Sequence, residues 1–271
     1  MILCDRHMHT TFCDGKAEAE EYVISAIDKG LKKIGFSVHS YVPFDLECCI
    51  SKERIPEYRA RIAELKKKYA DKIEILCGVE QDYYSEESTD GYDYVIGSYH
   101  YFKTPEGEFL PLDLNVEVLD KMCGDYFGND YMSLCEDYYR IEADIPNKIK
   151  CDIIGHIDLI TKFNEKNFLI DTSSEQYRSI ALEALDALIP TGRLFEINTG
   201  AMSRGYKTKP YPEDFILRRI AERGADVIIT SDSHRKDTIL YGFEDAVEYA
   251  RSCGVKHICV YKNSKIEKIS I

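Results

Sequence analysis

No stretch of this 271-residue chain approaches the ~20 consecutive apolar residues that a bilayer-spanning helix needs, so a helical membrane protein is excluded. Positive charge is also scarce. Lys and Arg number 35 against 48 Asp and Glu, for a net charge of −13. That surplus argues against nonspecific attraction to nucleic-acid phosphates, and no basic aromatic groove is visible to offset it. Processing of nucleic acid at a metal site is not excluded by charge alone. None of the ten cysteines forms a C-x-x-C pair, which removes the zinc-ribbon and thioredoxin-like readings. Asp5 and Arg6 interrupt the apolar opening at once, so no secretory leader is expected. The cysteines then read as reduced, mostly buried thiols of a cytoplasmic protein. Internal repeats, low-complexity segments and long polar linkers are absent too.

What is present is an alternation of strand-like and helical patterns from end to end. Strands are expected over residues 2–7, 33–38, 73–79, 94–98, 151–155, 193–198 and 226–230, with a further one at 257–261 and an edge-like tail at 265–271. Helices are expected over 18–29, 54–69, 116–143 with a break near Gly128 and Asn129, 174–188, 213–223 and 243–253. Residues 104–115 read as a loop or small hairpin. The apolar stripe of Tyr131, Leu134, Tyr138 and Ile141 reads as core packing. Alternation of this kind argues for an α/β fold with a parallel sheet, and seven or eight units argue for closure into a barrel. The count depends on whether the last strand joins the barrel. With 44% hydrophobic residues the chain can bury one large core, and a single domain over residues 1–271 is expected.

The histidines are concentrated where chemistry is expected. His7 and His9 end the first strand, and His39 ends the second. His100 follows the fourth, His156 ends the fifth and His234 follows the seventh. Glu80 ends the third strand and Asp232 the seventh. In an α/β barrel the carboxyl ends of the strands carry the active site. Alternate strand residues point the same way, so His7 and His9 can both face the mouth while Met8 turns outward. Six imidazoles with Asp14, Glu80 and Asp232 are too many ligands for one ion. Two or three divalent ions sharing a bridge fit better, with zinc, manganese or iron suited to this donor set. Glu80 is the candidate bridge, because a carboxylate offers two oxygens. His257 opens the final strand at its other end and reads as structural. Asp5 reads either as a partner for a ligand histidine or as an ordinary strand residue.

The segment Asp5-Arg6-His7-Met8-His9-Thr10-Thr11-Phe12-Cys13-Asp14-Gly15 resembles the opening motif of the PHP (polymerase and histidinol phosphatase) family. Gly35-Phe36-Ser37-Val38-His39, Gly78-Val79-Glu80 and Gly97-Ser98-Tyr99-His100 resemble its next three motifs. Gly155-His156-Ile157-Asp158-Leu159-Ile160 and Ser231-Asp232-Ser233-His234 complete the set in order. Cys13 stands where the family commonly has serine. The long insertion between His100 and His156, and the segment Asn198-Thr199-Gly200-Ala201-Met202-Ser203-Arg204-Gly205, resemble the stand-alone histidinol-phosphatase branch. The resemblance implies a distorted (β/α)7 TIM-like barrel with a trinuclear metal centre. Carried over by position, His7, His9, Glu80 and Asp232 would hold one ion. Glu80, His100 and His156 would hold a second, and Asp14, His39 and His234 a third.

The chemistry so implied is hydrolysis of L-histidinol phosphate by metal-activated hydroxide attacking phosphorus in line. Arg204 is the candidate phosphate clamp, since a guanidinium matches phosphate bidentately, and Lys162 is a second candidate. Asp232 or His234 is expected to relay the leaving-group proton. Tyr99, Tyr101, Asp113 and Tyr206 are available to line a substrate pocket. Two other readings compete. One is a phosphoesterase of the same family acting on nucleotides or other phosphate esters. The other is a metal-binding or metal-sensing protein without turnover.

Overall fold

The computed structural model describes residues 4–262 and 265–271. Seven strands make one sheet: β1 (Cys4–Asp5), β2 (Lys33–His39), β3 (Glu74–Asp82), β4 (Tyr94–Ser98), β5 (Ile153–Ile154), β6 (Leu194–Asn198) and β7 (Val227–Thr230). Each pairs in parallel with the next in chain order. All five residues of β4 and of β6 are buried, as expected of strands covered on both faces. The two edges of the sheet meet just beyond the strands. Met8 and Ser233 form a parallel bridge, in which the His9 amide donates to the Ser233 carbonyl and the Ser233 amide to the His7 carbonyl, each at 2.9 Å. The result is a nearly closed, distorted (β/α)7 barrel. Residues 2 and 3 of the expected first strand lie outside the described residues.

Around the barrel run α1 (Ala19–Asp28), α2 (Ile55–Lys68), α3 (Val116–Phe127), α4 (Tyr131–Lys148), α5 (Glu175–Leu188), α6 (Asp214–Glu222) and α7 (Phe243–Ser252). Their ends follow local chemistry. The Ser174 hydroxyl accepts the Tyr177 amide at the start of α5, and Asn115 and Asp130 cap α3 and α4 in the same way. Gly128, in the left-handed region at φ 62°, ends α3 and sets the break that the sequence marks. The fourth helix outruns its expected end at residue 143 and reaches Lys148. Pro146 sits in its last turn, where it forfeits one intrahelical amide bond while the buried Ile145 anchors the turn. Residues 101–103 and 109–111 form the small hairpin.

The strand at His257–Lys262 does not join the barrel wall. It pairs antiparallel with Lys265–Ser270, and Cys259 from it packs against Leu76, Tyr94, Ile96, Ile153, Leu194 and Ile228 inside the barrel. The hairpin is therefore a separate sheet, with Ile258 turned to the helical layer beside Val227 and Ala250, and the strand count of the barrel is seven. Tyr94 lies in the same interior cluster. Its hydroxyl donates to the carbonyls of Arg6 at 2.5 Å and Phe36 at 3.0 Å. A Cβ on Gly35 or Gly78 would lie within 2.5 Å or 2.4 Å of its ring and hydroxyl, so both glycines serve close approach. Tyr94 and this apolar layer make a dry floor, and the polar residues collect above it. Met8 faces away from the mouth and is buried with Tyr22, Val23 and Phe36 beneath α1. The ten cysteines are unpaired, and all but Cys13 and Cys48 are buried. Among the described residues no helix is long and apolar enough to cross a membrane.

Candidate metal centre

The carboxyl ends of the strands bring the singled-out residues to one place. His7 and His9 lie two and four residues past β1, and Asp14 follows in the next turn. His39 is the last residue of β2. His100 and His156 each lie two residues past β4 and β5, and Asp232 and His234 two and four past β7. Glu80 lies two residues inside β3, because that strand stays paired on both sides: His39 opposes Glu80, and Asp82 opposes Ser98. Leu76, Gly78 and Glu80 alternate on one face, so the carboxylate rises from the dry floor into the mouth. Asp232 holds a positive φ of 45°, an observed strain at the heart of the site.

Glu80 is the hub. Its Oε2 lies 3.0 Å from His7 Nε2, 3.5 Å from His9 Nε2 and 3.0 Å from His39 Nδ1. Its Oε1 lies 2.9 Å from His156 Nε2 and 3.3 Å from His100 Nε2. Asp232 Oδ1 lies 3.2 Å from His9 Nε2 and 3.8 Å from His7 Nε2. Asp14 reaches His234 at 3.1 Å and both His9 and His39 at 3.8 Å. Donor atoms about 2.0–2.2 Å from a shared tetrahedral ion sit roughly 3.4 Å from one another, and these spacings match that. Three sets of donors each gather within 4.8 Å: His9, Asp14, His39 and His234; His7, His9 and Asp232; and His39, Glu80 and His100. In this sorting His9 and His39 each serve two sets. The donor atoms His7 Nε2, His9 Nε2, Asp14 Oδ1 and Glu80 Oε2 are buried with no hydrogen-bond partner. Buried polar atoms are rarely left so; Glu80 Oε2 lies between the two imidazole nitrogens, and Asp14 Oδ1 faces His9 Nδ1 and His39 Nε2. The residues present fit divalent ions.

Electrostatics agree. Burial alone would raise the Glu80 carboxyl, but His7, His39 and His100 hold it well below the usual range. Burial opposes charge on His39 too, yet Glu80 pushes it up to about 10. His9 goes the other way, down to about 3, through burial and the neighbouring His234 and His39. Protons on the imidazoles thus balance the carboxylates, a task that divalent ions can take over with release of those protons.

Beside the centre lies a cavity of about 160 Å³ lined by Asp14, His39, Cys48, Glu80, His100, Tyr101, Asp113, His156, Leu159, Lys162, Arg204, Asp232 and His234. Arg204 donates to Asp232 Oδ2 and to the Asp232 carbonyl, both at 3.0 Å, and its Nη1 lies 3.1 Å from His234 Nδ1. A Cβ at Gly200 would meet Asp232 Oδ2 at 2.6 Å and Arg204 Nη2 at 2.8 Å, so that glycine lets the pair form. Lys162 donates to the Asp113 carbonyl at 2.6 Å and carboxylate at 2.9 Å. Despite burial, Lys162 and His100 hold the Asp113 carboxyl down at about 2. Tyr101 and Asp113 do line the cavity. Tyr99 does not. It is buried in the core, its ring 5.5 Å from that of Tyr138. Tyr206 packs against Phe163 beneath the Lys162 ammonium.

Two carboxylates escaped the reading of the sequence. Asp82 Oδ2 lies 3.2 Å from His100 Nδ1 and accepts the His100 amide at 3.1 Å. Glu196 Oε1 lies 2.5 Å from His7 Nδ1. A signal for each was available. Asp82 follows Glu80 by one strand repeat, and Glu196 interrupts an apolar run, where an unpartnered carboxylate would be costly. Among the described residues no histidine ring pairs with Asp5, although the His7 backbone amide helps to hold its carboxylate. Its oxygens accept the amides of Ser231 and Leu240 at 3.1 and 3.2 Å, tying β1 to the loop that carries Asp232 and His234.

Residues 5–200 match the family described as PHP domain. The Deinococcus radiodurans protein called "Probable histidinol-phosphatase" is 28% identical over 281 residues, covering 98% of each chain. A solved structure from Listeria monocytogenes superposes with a TM-score of 0.75 at 22% identity, covering 89% of this chain and 99% of that one. Another, histidinol phosphate phosphatase from Lactococcus lactis complexed with zinc, L-histidinol and phosphate, has a TM-score of 0.72 at 20% identity and covers 98% and 99%. At these identities the structural likeness is one of fold.

Proposed function

This chain belongs to the PHP-domain family, and on that premise we propose that it is a metal-dependent phosphomonoesterase hydrolysing L-histidinol phosphate to L-histidinol and phosphate. The observation that carries the reading is the set of buried, unpartnered donor atoms around Glu80. Support for the substrate comes from the full-length match to a relative named for that activity. The small cavity beside the centre suits a small ester. The whole chain acts as one domain, and its unpaired cysteines fit a reducing cytoplasm.

Two or three ions of zinc, manganese or iron would be held by His7, His9, Asp14, His39, Glu80, His100, His156, Asp232 and His234. When bound they neutralise phosphoryl oxygens and acidify water toward a pKa of about 7. The remaining work falls to side chains. Glu80, with an oxygen toward each side of the cluster, binds its halves together. Arg204 offers a guanidinium to the phosphoryl group from the cavity wall and is held for that by Asp232. Lys162 offers a second positive charge, already shared with Asp113. Asp232 and His234, both at the cavity, are placed to hand a proton to the departing alkoxide.

Phosphate release should be seen with histidinol phosphate, and not with a dinucleotide. Preference for a nucleoside monophosphate would move the assignment to a nucleotide phosphatase of the same family, and tight metal binding without turnover would favour a sensor. Arg204→Ala should raise KM and lower kcat, with kcat/KM falling on the order of 10²-fold. Unchanged kinetics would remove Arg204 from the site.

A further inference from the structure

Glu196 stands outside the ligand set above, yet four donors converge on it. Its Oε1 takes His7 Nδ1 at 2.5 Å and the Thr230 hydroxyl at 2.6 Å. Its Oε2 takes the His156 backbone amide at 2.8 Å and the Asn198 side-chain amide at 2.9 Å. The residue is 1% exposed. We propose that Glu196 is a positioning residue for the metal centre. By holding the Nδ1 proton of His7 it aims Nε2, the nitrogen that would meet an ion, at Glu80 and Asp232, and by holding the His156 amide it fixes the turn that carries a second ligand. The proposal rests on the metal-centre reading.

The convergence makes a sharp chemical demand. Every partner of Glu196 is a donor, so only a group that accepts on both oxygens satisfies all four. Glutamine has the same length and nearly the same shape, but one end is an NH₂. Turned toward His7, that end forces Nδ1 to accept and moves the ring proton to Nε2, where it blocks ligation. Turned the other way, it faces the His156 and Asn198 donors, and the turn carrying His156 loses its anchor. Hydrogen bonds from ligand imidazoles to such carboxylates orient the ring, and their loss costs about 10–100-fold in metal affinity.

Zinc affinity of the full chain, measured by competition with a chromophoric chelator, tests this. E196Q, checked for folding by circular dichroism, should bind zinc about 10–100-fold more weakly than wild type. E196D, which keeps the acceptors but withdraws them, should fall between. In ¹⁵N-labelled, zinc-loaded wild type the His7 Nδ1 proton should resonate far downfield, and this signal should be lost in E196Q. Should E196Q not fold, E196D carries the test, and wild-type zinc affinity with an unshifted Nδ1 proton would overturn the proposal. Wild-type zinc binding with an equally tight, folded E196Q overturns it alone. Failure of wild type to take up zinc overturns the metal centre and this proposal together.

Discussion

Exhaustive chelation should reduce phosphate release at least about 10³-fold, since the ions supply several kcal/mol of charge stabilisation. Adding back zinc, manganese or iron one at a time should restore it, and the best restorer identifies the working metal. Chelated protein that hydrolyses histidinol phosphate as fast as reconstituted protein would sink the proposed mechanism. The stripped protein should also carry a pH signature. Burial by itself lowers His7, His39 and His100, but Glu80 and the neighbouring carboxylates overcome it and raise all three. A histidine raised in the folded state contributes stability that is fully present below its unfolded value and is lost as pH climbs to the folded one. For His39 that window runs from 6.5 to about 10. Thermal melts of the metal-free protein should therefore fall in Tm across this range. The metal-loaded protein should not follow, because its imidazoles are neutral ligands throughout.

Glu80→Gln should be the most damaging single substitution at the site. The carboxylate lies within 3.5 Å of His7, His9, His39, His100 and His156, and glutamine leaves one acceptor where two are used. We expect kcat to fall at least about 10²–10³-fold, with weaker uptake of at least one ion by elemental analysis. Near-wild-type kcat at saturating metal would show that Glu80 does not bridge. Because the substitution is nearly isosteric, circular dichroism should be unchanged, which separates loss of the centre from loss of the fold.

The barrel was legible because strand–helix alternation is a local signal that recurs along the chain, interrupted only between the third and fourth strands. The strand at 94–98 is found at its expected bounds. The last strand was ambiguous for a physical reason. A buried strand that joins the wall and one that pairs only within its own hairpin present the same apolar run, and only pairing partners tell them apart. The four-residue helices at Asn164–Asn167 and Gly200–Ser203 are too short to show a period. At the site, the positions of the histidines at strand ends were enough to bring them together. Glu196 and Asp82 each left a trace in the strand pattern, but their partners, His7 and His100, lie just past other strands and are not adjacent in sequence. Tyr99 was misplaced because adjacency to His100 in sequence says nothing about which face of the chain it takes, and it turns into the core.

The seam between the first and last strands has a consequence for how the protein is made. The barrel closes at the bridge between Met8 and Ser233, flanked by His7 and His9 on one lip and by Asp232 and His234 on the other. A nascent chain displays every other proposed ligand long before Asp232 and His234 emerge. Until then its imidazoles face an open gap. Closure of the seam and completion of the cluster therefore coincide, and an ion gripping both lips would act as a rivet across it.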